Sequence, residues 1–217
     1  MKTVTIFGAT GAVGSQLVKE ALLMGYKVRA FGRNVFVHPF PLSENLELIQ
    51  GGVFDAGDVR KAIKGSDAVL SAIGGAFDGT DKSRSLGIKT IVAQMEKLGV
   101  KRIVAVGGMG VLANDEGKLL MDAEDYPKEY LPVGREHLKA YTYLKESSLH
   151  WTFVCSPDLV DADAGGEFIA AAEKNPEGSL FKINTGDLAL FMLKEINNNE
   201  YICQRVGIGN IKSSLSS

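Results

Sequence analysis

Three glycines, Gly8, Gly11 and Gly14, follow the apolar run Val4–Phe7 and open into a helical pattern. This spacing lets the backbone turn tightly out of a strand, lets a diphosphate approach the main chain, and lets the next helix pack close to the sheet. The helix N-terminus then presents free N–H groups and a partial positive charge to the phosphates. A second strand pattern, Lys27–Phe31, closes the unit after Gly25. Glycines also recur in ordinary strand–helix turns that bind nothing. Here a strand precedes, a helix follows and a second strand closes the unit, so the expected ligand is a dinucleotide.

The end of that second strand bears on which dinucleotide. It reads Phe31-Gly32-Arg33-Asn34. A carboxylate there would bond the ribose hydroxyls of NAD. None is present, and a guanidinium follows directly. Arg33 can meet a 2′-phosphate through a charge-assisted, bidentate contact, which selects NADP(H). A solvated loop arginine is the plain alternative.

These residues need elements to hold them. Short apolar runs at Val4–Phe7, Val28–Phe31, Leu46–Ile49, Ala68–Ile73, Ile103–Val106 and Trp151–Cys155 read as strands. Between them lie helical faces, Val13, Leu17, Ala21 and Met24 in one, Ile88, Ile91, Val92, Met95 and Leu98 in another. Such alternation predicts βαβ units and an α/β fold, a doubly wound parallel sheet with helices on both sides. Ligands then bind at the carboxyl ends of the strands. Two long connections, Asn34–Asn45 and Gly107–Leu131, leave that end, where a lid or substrate loop would sit. Beyond Cys155 the pattern predicts helices near Gly166–Lys174 and Asp187–Asn197, the latter started by Thr185 and Asp187, and a last strand near Ile202–Val206. We expect one domain over residues 1–211, with a small C-terminal substrate region and a disordered tail, 212–217.

Composition narrows the function classes. The 217 residues are 45% apolar, enough for a layered core, and the net charge of −2 leaves no footprint for nucleic acid. No apolar run reaches membrane-spanning length. The first strand starts at the N-terminus, leaving no room for a signal peptide, so a cytoplasmic protein is expected. Cys155 and Cys203 are far apart, and neither they nor the acids Asp115, Glu116, Asp122, Glu124 and Asp125 show metal-ligand spacing. No metal is expected, and the acids read as a solvated loop.

With the glycine fingerprint, the sheet pattern and the late Trp151-Thr152-Phe153-Val154-Cys155-Ser156-Pro157 in view, the chain resembles an atypical short-chain dehydrogenase/reductase. Within that superfamily it is similar to the NAD(P)H-binding NmrA-like group, nearest the biliverdin reductase B/flavin reductase type. The resemblance implies that Gly8, Thr10, Gly11, Ala12, Val13 and Gly14 cradle the diphosphate. It implies that Ala72, Ile73 and Gly74 line the nicotinamide ribose and that Ser156, Pro157 and Leu159 shape the nicotinamide pocket. Gly52 and Val53 fall where relatives contact adenine, although an acid is common at the first of these.

The resemblance also bears on catalysis. Such enzymes usually carry Tyr-x-x-x-Lys, and Tyr141 with Lys145 matches the letters. Counting back from the turn Ser147-Ser148-Leu149 instead puts the usual lysine position at His137 and the usual tyrosine position at Val133. Tyr141 is then a packed aromatic one turn too late. A histidine sits at the place of His137 in biliverdin reductase B-like proteins, where it could bond the ribose or relay a proton; a plain helix histidine is the alternative. The fifth strand ends Val106-Gly107-Gly108-Met109-Gly110, with no hydroxyl to polarise a carbonyl. Those glycines could admit a flat ligand against the backbone, with Met109 beside it, or form only a flexible turn. The expected function is NADPH-dependent reduction of a small planar acceptor such as a flavin or quinone. The competing one is a non-enzymatic NADP(H) sensor with a protein partner. A sugar-nucleotide epimerase or dehydratase is weaker, because it needs the tyrosine–lysine pair.

Overall fold

The computed structural model describes residues 1–211; the expected tail, 212–217, lies outside them. Among these residues lie ten strands and five α-helices, with four short 3-10 turns between them. They are β1 Thr3–Phe7, α1 Ala12–Leu23, β2 Lys27–Gly32, β3 Leu46–Gln50, α2 Ala56–Ile63, β4 Ala68–Ser71, α3 Ser83–Leu98 and β5 Arg102–Gly108. Then come α4 Leu131–Lys145, β6 His150–Ser156, β7 Asp158–Val160, β8 Phe168–Ala172, β9 Lys182–Asn184, α5 Thr185–Asn198 and β10 Gln204–Asn210. Eight strands form one sheet in the order β3-β2-β1-β4-β5-β6-β10-β8. All neighbours are parallel except the pair β10–β8. The fold class expected from the alternation is the fold observed.

Period-two alternation divides each strand between two cores. Val4 and Ile6 of β1 face α1 and α5, where Leu17, Val18, Leu188 and Met192 are buried. Phe7 faces α2, α3 and α4, with Val59, Ile91, Met95 and Leu144. Each large apolar side chain removed from water on either face contributes about 1.5–3 kcal/mol. Asp55 caps α2, its carboxylate accepting from the amides of Gly57 (2.7 Å) and Asp58 (2.9 Å).

The C-terminal third departs from the expectation. The predicted helix near Gly166–Lys174 is the strand β8, antiparallel to β10. Its alanines favour a helix, but the free edge of β10 needs a partner for its backbone groups. Phe168 and Ala170 also alternate onto the core that covers α5. Thr185 and Asp187 do not cap α5, whose N-cap is Asn184 without a side-chain bond. The Thr185 hydroxyl donates to the Ala162 carbonyl, and Asp187 is fully buried, accepting from the Gly165 and Gly166 amides and from Asn210. The helix nonetheless starts at Thr185 with Asp187 as the acid of its first turn, as the dipole reading expects, and both side chains also fasten the 161–167 loop. The last strand begins later and runs further than Ile202–Val206, and β4 stops at Ser71 rather than Ile73.

At the amino ends of the strands a buried ion pair holds α5 to the sheet. Arg102 Nη2 donates to Glu195 Oε1 at 2.8 Å, and that oxygen also accepts from Thr152 Oγ1 and the Tyr201 amide. Both side chains are almost wholly buried. Removing one partner strands the other charge. Glu195→Ala should therefore cost about 3–5 kcal/mol in a urea titration; a loss below about 1 kcal/mol would show that the pair does not hold the helix.

Candidate cofactor and active site

The turn between β1 and α1 is built by close approach. Gly8 has φ +76°, and a β-carbon there would lie 2.4 Å from the Ala72 carbonyl oxygen. A β-carbon on Gly14 would lie 2.0 Å from the Gly8 carbonyl oxygen. The first turn of α1 therefore sits directly against the end of β1. Gly11 caps the helix with no side-chain bond, and no acid occupies the first turn. The amides of Ala12, Val13 and Gly14 have no intrahelical acceptor, so the positive end of the helix is left for an anion. A dinucleotide diphosphate fits this cradle.

The flanking loops complete a groove across the carboxyl ends. The Thr10 side chain lies beside Gly32, its Oγ1 3.8 Å from where a β-carbon would stand. Arg33 is exposed and makes no side-chain hydrogen bond or ion pair among the described residues; its carbonyl accepts from Gln50. After β3, the Gly52 amide donates to Asp58 Oδ2 at 2.9 Å. An acid thus stands against Gly52, delivered from α2, a placement that local sequence did not show. Val53 and Ile73 pack together over Gly87 of α3. The loop after β4, which carries Ala72, Ile73 and Gly74, is tied down by Arg84, whose guanidinium donates to the carbonyls of Gly75 (2.9 Å) and Ala76 (3.0 Å).

The glycine-rich end of β5 leaves no bare backbone for a flat ligand, one of the two readings of its glycines. The protein's own rings fill it. A β-carbon on Gly107 would lie 2.3 Å from the Phe153 ring, one on Gly108 would lie 2.8 Å from His137 Cδ2, and one on Gly110 would lie 2.5 Å from Tyr126 Oη. Met109 packs into the core on the α3–α4 side of the sheet. Ser156 at the end of β6 donates its hydroxyl to the Gly107 carbonyl (3.3 Å), Pro157 is buried, and Leu159 on β7 is 46% exposed.

His137 comes to this place from α4. Its Nδ1 is buried with no partner among the described residues. Burial, and then the positive charge of Arg84, push the imidazole down to about 3, against a smaller opposing pull from Glu136. It is therefore neutral at any physiological pH. Glu136 beside it is buried. Burial alone would raise its carboxyl, but hydrogen bonds from Ser85 (2.5 Å), Lys139 (3.1 Å) and Lys82 (3.2 Å) outweigh that and hold it below its usual range. Tyr141 lies away from the groove. Its ring packs edge-on to Trp151 at 5.7 Å and beside Phe153 at 5.9 Å, with the Arg205 guanidinium over it at 5.1 Å. Among the described residues no cluster of metal-ligating side chains forms, and no helix is long and apolar enough to cross a membrane.

Several known proteins are similar to this chain in sequence and fold. A candidate exported protein from Burkholderia pseudomallei is 32% identical, with a TM-score of 0.82 over 96% of this chain and 100% of that one. A candidate epimerase from Bacteroides thetaiotaomicron is 29% identical, with a TM-score of 0.84 over 98% of both chains. A candidate NADH-flavin reductase from Streptococcus pneumoniae is 24% identical and shares the fold, with a TM-score of 0.83 over 97% of this chain and 100% of that one. A family model described as NAD(P)H-binding matches residues 8–199. That stretch contains the glycine turn, both long connections, His137 and the end of β6, and the chain belongs to this NAD(P)H-binding family.

Proposed function

We propose that the protein is an NADPH-dependent reductase of a flat, conjugated acceptor such as a flavin or quinone. The observation that carries this reading is the end of β5. Where alcohol-oxidising relatives need a hydroxyl, the neutral ring of His137 packs on Gly108. In the literal Tyr141–Lys145 pair the tyrosine ring packs against Trp151 and Phe153, with Lys145 Nζ over that ring. The tyrosine–lysine chemistry of alcohol and sugar substrates therefore has no seat in the groove. Hydride transfer between two stacked rings depends on their orientation more than on a strong base. The name of the Streptococcus pneumoniae relative points the same way, by fold alone.

In this reading the bound dinucleotide supplies the hydride, and the chain's residues hold the two reactants. The amides of Ala12–Gly14 and the turn at Gly8, Thr10 and Gly11 take the diphosphate. Arg33 takes the 2′-phosphate. Gly52 and Val53 face the adenine, and Ala72, Ile73 and Gly74 the nicotinamide ribose. Ser156, Pro157 and Leu159 wall the nicotinamide pocket, with His137 opposite. Leu159, Val160 and Phe181, 46%, 40% and 66% exposed, form an apolar lip suited to a planar acceptor. Cys155 and Cys203 are both free thiols, which suits a reducing, cytoplasmic setting.

Anaerobic loss of NADPH absorbance with a panel of flavins and quinones tests the proposal. Turnover with at least one, and little with simple alcohols, is expected. NADPH binding with no acceptor reduced would contradict it and leave a dinucleotide sensor that docks a protein partner. Arg33→Ala should weaken NADPH binding about ten-fold or more, the scale of a lost charge-assisted contact, and leave NADH nearly unchanged. Equal losses by titration would remove Arg33 from cofactor selection.

The neutral His137 also makes a stability prediction. Its folded value lies below the ordinary 6.5. The unfolded chain therefore binds the proton first, and stability is lost as pH falls from about 6.5 towards 3. The ring keeps a partly exposed edge, which moderates the loss to about 1–2 kcal/mol by pH 5. His137→Gln should flatten that part of the pH–stability curve in urea titrations. An unchanged slope would mean that the imidazole is not held neutral.

A further inference from the structure

The loop after β4 is fixed at two points. Ala72 lies against the dinucleotide turn, where a β-carbon on Gly8 would stand 2.4 Å from the Ala72 carbonyl oxygen and 3.0 Å from the Ile73 amide nitrogen. Three residues on, the peptide between Gly75 and Ala76 is gripped from the start of α3. Arg84 Nη2 donates to the Gly75 carbonyl at 2.9 Å, and Nη1 to the Ala76 carbonyl at 3.0 Å. Hydrogen bonds from Ser83, and a smaller one from the Ala76 amide, hold the Asp81 carboxyl below its usual range. In a trans peptide the C=O and the N–H point to opposite sides. Arg84 and Asp81 therefore hold one peptide from both sides.

The grip explains a glycine. A β-carbon on Gly75 would lie 2.9 Å from Asp81 Oδ2 and 3.1 Å from Arg84 Nη1. Nothing larger than hydrogen fits there while both charges hold the peptide. Gly75 is not among the glycines with positive φ, so the backbone turn itself does not require it. Arg84 is only 7% exposed and forms no ion pair among the described residues. Asp81 and Glu136 act on it through space. The Phe77 ring covers it, the ring centroid 5.6 Å from Arg84 Cζ. Burying a guanidinium without a bonded carboxylate costs stability, and an apolar side chain would pack α3 without that cost. The charge is therefore explained by the two carbonyls that it holds.

We infer that Arg84 and Asp81 are positioning residues for the nicotinamide half of the cofactor, holding Ile73 and Gly74 between two fixed points as a preset wall for the ribose. The inference rests on the proposed placement of that ribose against Ala72, Ile73 and Gly74. A wall ordered before the ligand arrives removes a cost that binding would otherwise carry. The adenine half, placed at Arg33, Gly52 and Val53, lies on the β2–β3 side of the glycine turn and does not depend on the grip.

Calorimetric titrations of the full chain with NADP+ and with adenosine 2′,5′-bisphosphate, which carries the adenine half alone, test the inference. Gly75→Ala puts a methyl group between two side-chain ends that can move aside, so the melting temperature should hold. It should weaken NADP+ about ten-fold, the scale of ordering a loop on binding, and leave the bisphosphate unchanged. Arg84→Gln should do the same. Arg84→Lys keeps the charge but loses the two-pronged donor, and should resemble Arg84→Gln rather than the wild type. Gly75→Ala or Arg84→Lys at wild-type NADP+ affinity overturns the inference and leaves the placement intact. An equal loss of both ligands in Gly75→Ala, the mark of a general disturbance, also overturns it. A wild type that binds the bisphosphate as tightly as NADP+ overturns the placement of the nicotinamide ribose, and the inference with it.

Discussion

The carboxyl pole of the sheet depends on how closely α1 approaches β1. With the Gly8 oxygen 2.0 Å from a would-be β-carbon of Gly14, and the Ala72 oxygen 2.4 Å from that of Gly8, any side chain at either position must push the helix, or β4, away. The approach does three things together. It aims the free amides of the first helical turn at the groove, sets the loop after β4 beside the turn, and fixes the distance from the diphosphate cradle to the end of β5. Because the strands are parallel as far as β10, every loop that could touch a ligand leaves at the same pole. The Arg102–Glu195 pair then braces the opposite pole.

Around that frame the charges are arranged to keep the centre of the groove neutral. Glu136 is buried as a carboxylate because Ser85, Lys82 and Lys139 surround it. Arg84 is spent on the carbonyls of the loop that lines the groove. Both act on His137 from either side, and burial settles the balance in favour of the uncharged ring. A neutral imidazole suits the proposed acceptor, which would gain charge only as the hydride arrives. A fixed cation or carboxylate at that place would favour a charged substrate before reaction.

Much of this was legible in the residues. The glycine spacing after Val4–Phe7 led to the cradle, and the 3–4 spacing of Ile88, Ile91 and Met95 led to α3. Counting back from Ser147-Ser148-Leu149 singled out His137, which packs on Gly108 at the end of β5, and left Tyr141 as a packed aromatic, which it is against Trp151 and Phe153. Legibility failed where long-range partners decide. Ala170–Ala172 read as helix because nothing local announces the bare edge of β10. Asp187 looked like a helix cap because its true partners, the Gly165 and Gly166 amides and Asn210, are more than twenty residues away. The glycines ending β5 looked like room for a ligand because the rings that fill them come from β6, α4 and a loop of acids.

The central claim is that a dinucleotide lies across this pole with its nicotinamide end beside His137. A crystal structure of the complex with NADP+ tests it most directly. The account predicts the diphosphate on the amides of Ala12, Val13 and Gly14, the 2′-phosphate on Arg33, and the nicotinamide within contact of His137 and Pro157. A nucleotide bound with its nicotinamide away from the end of β5, or with its diphosphate off the α1 amides, would contradict it.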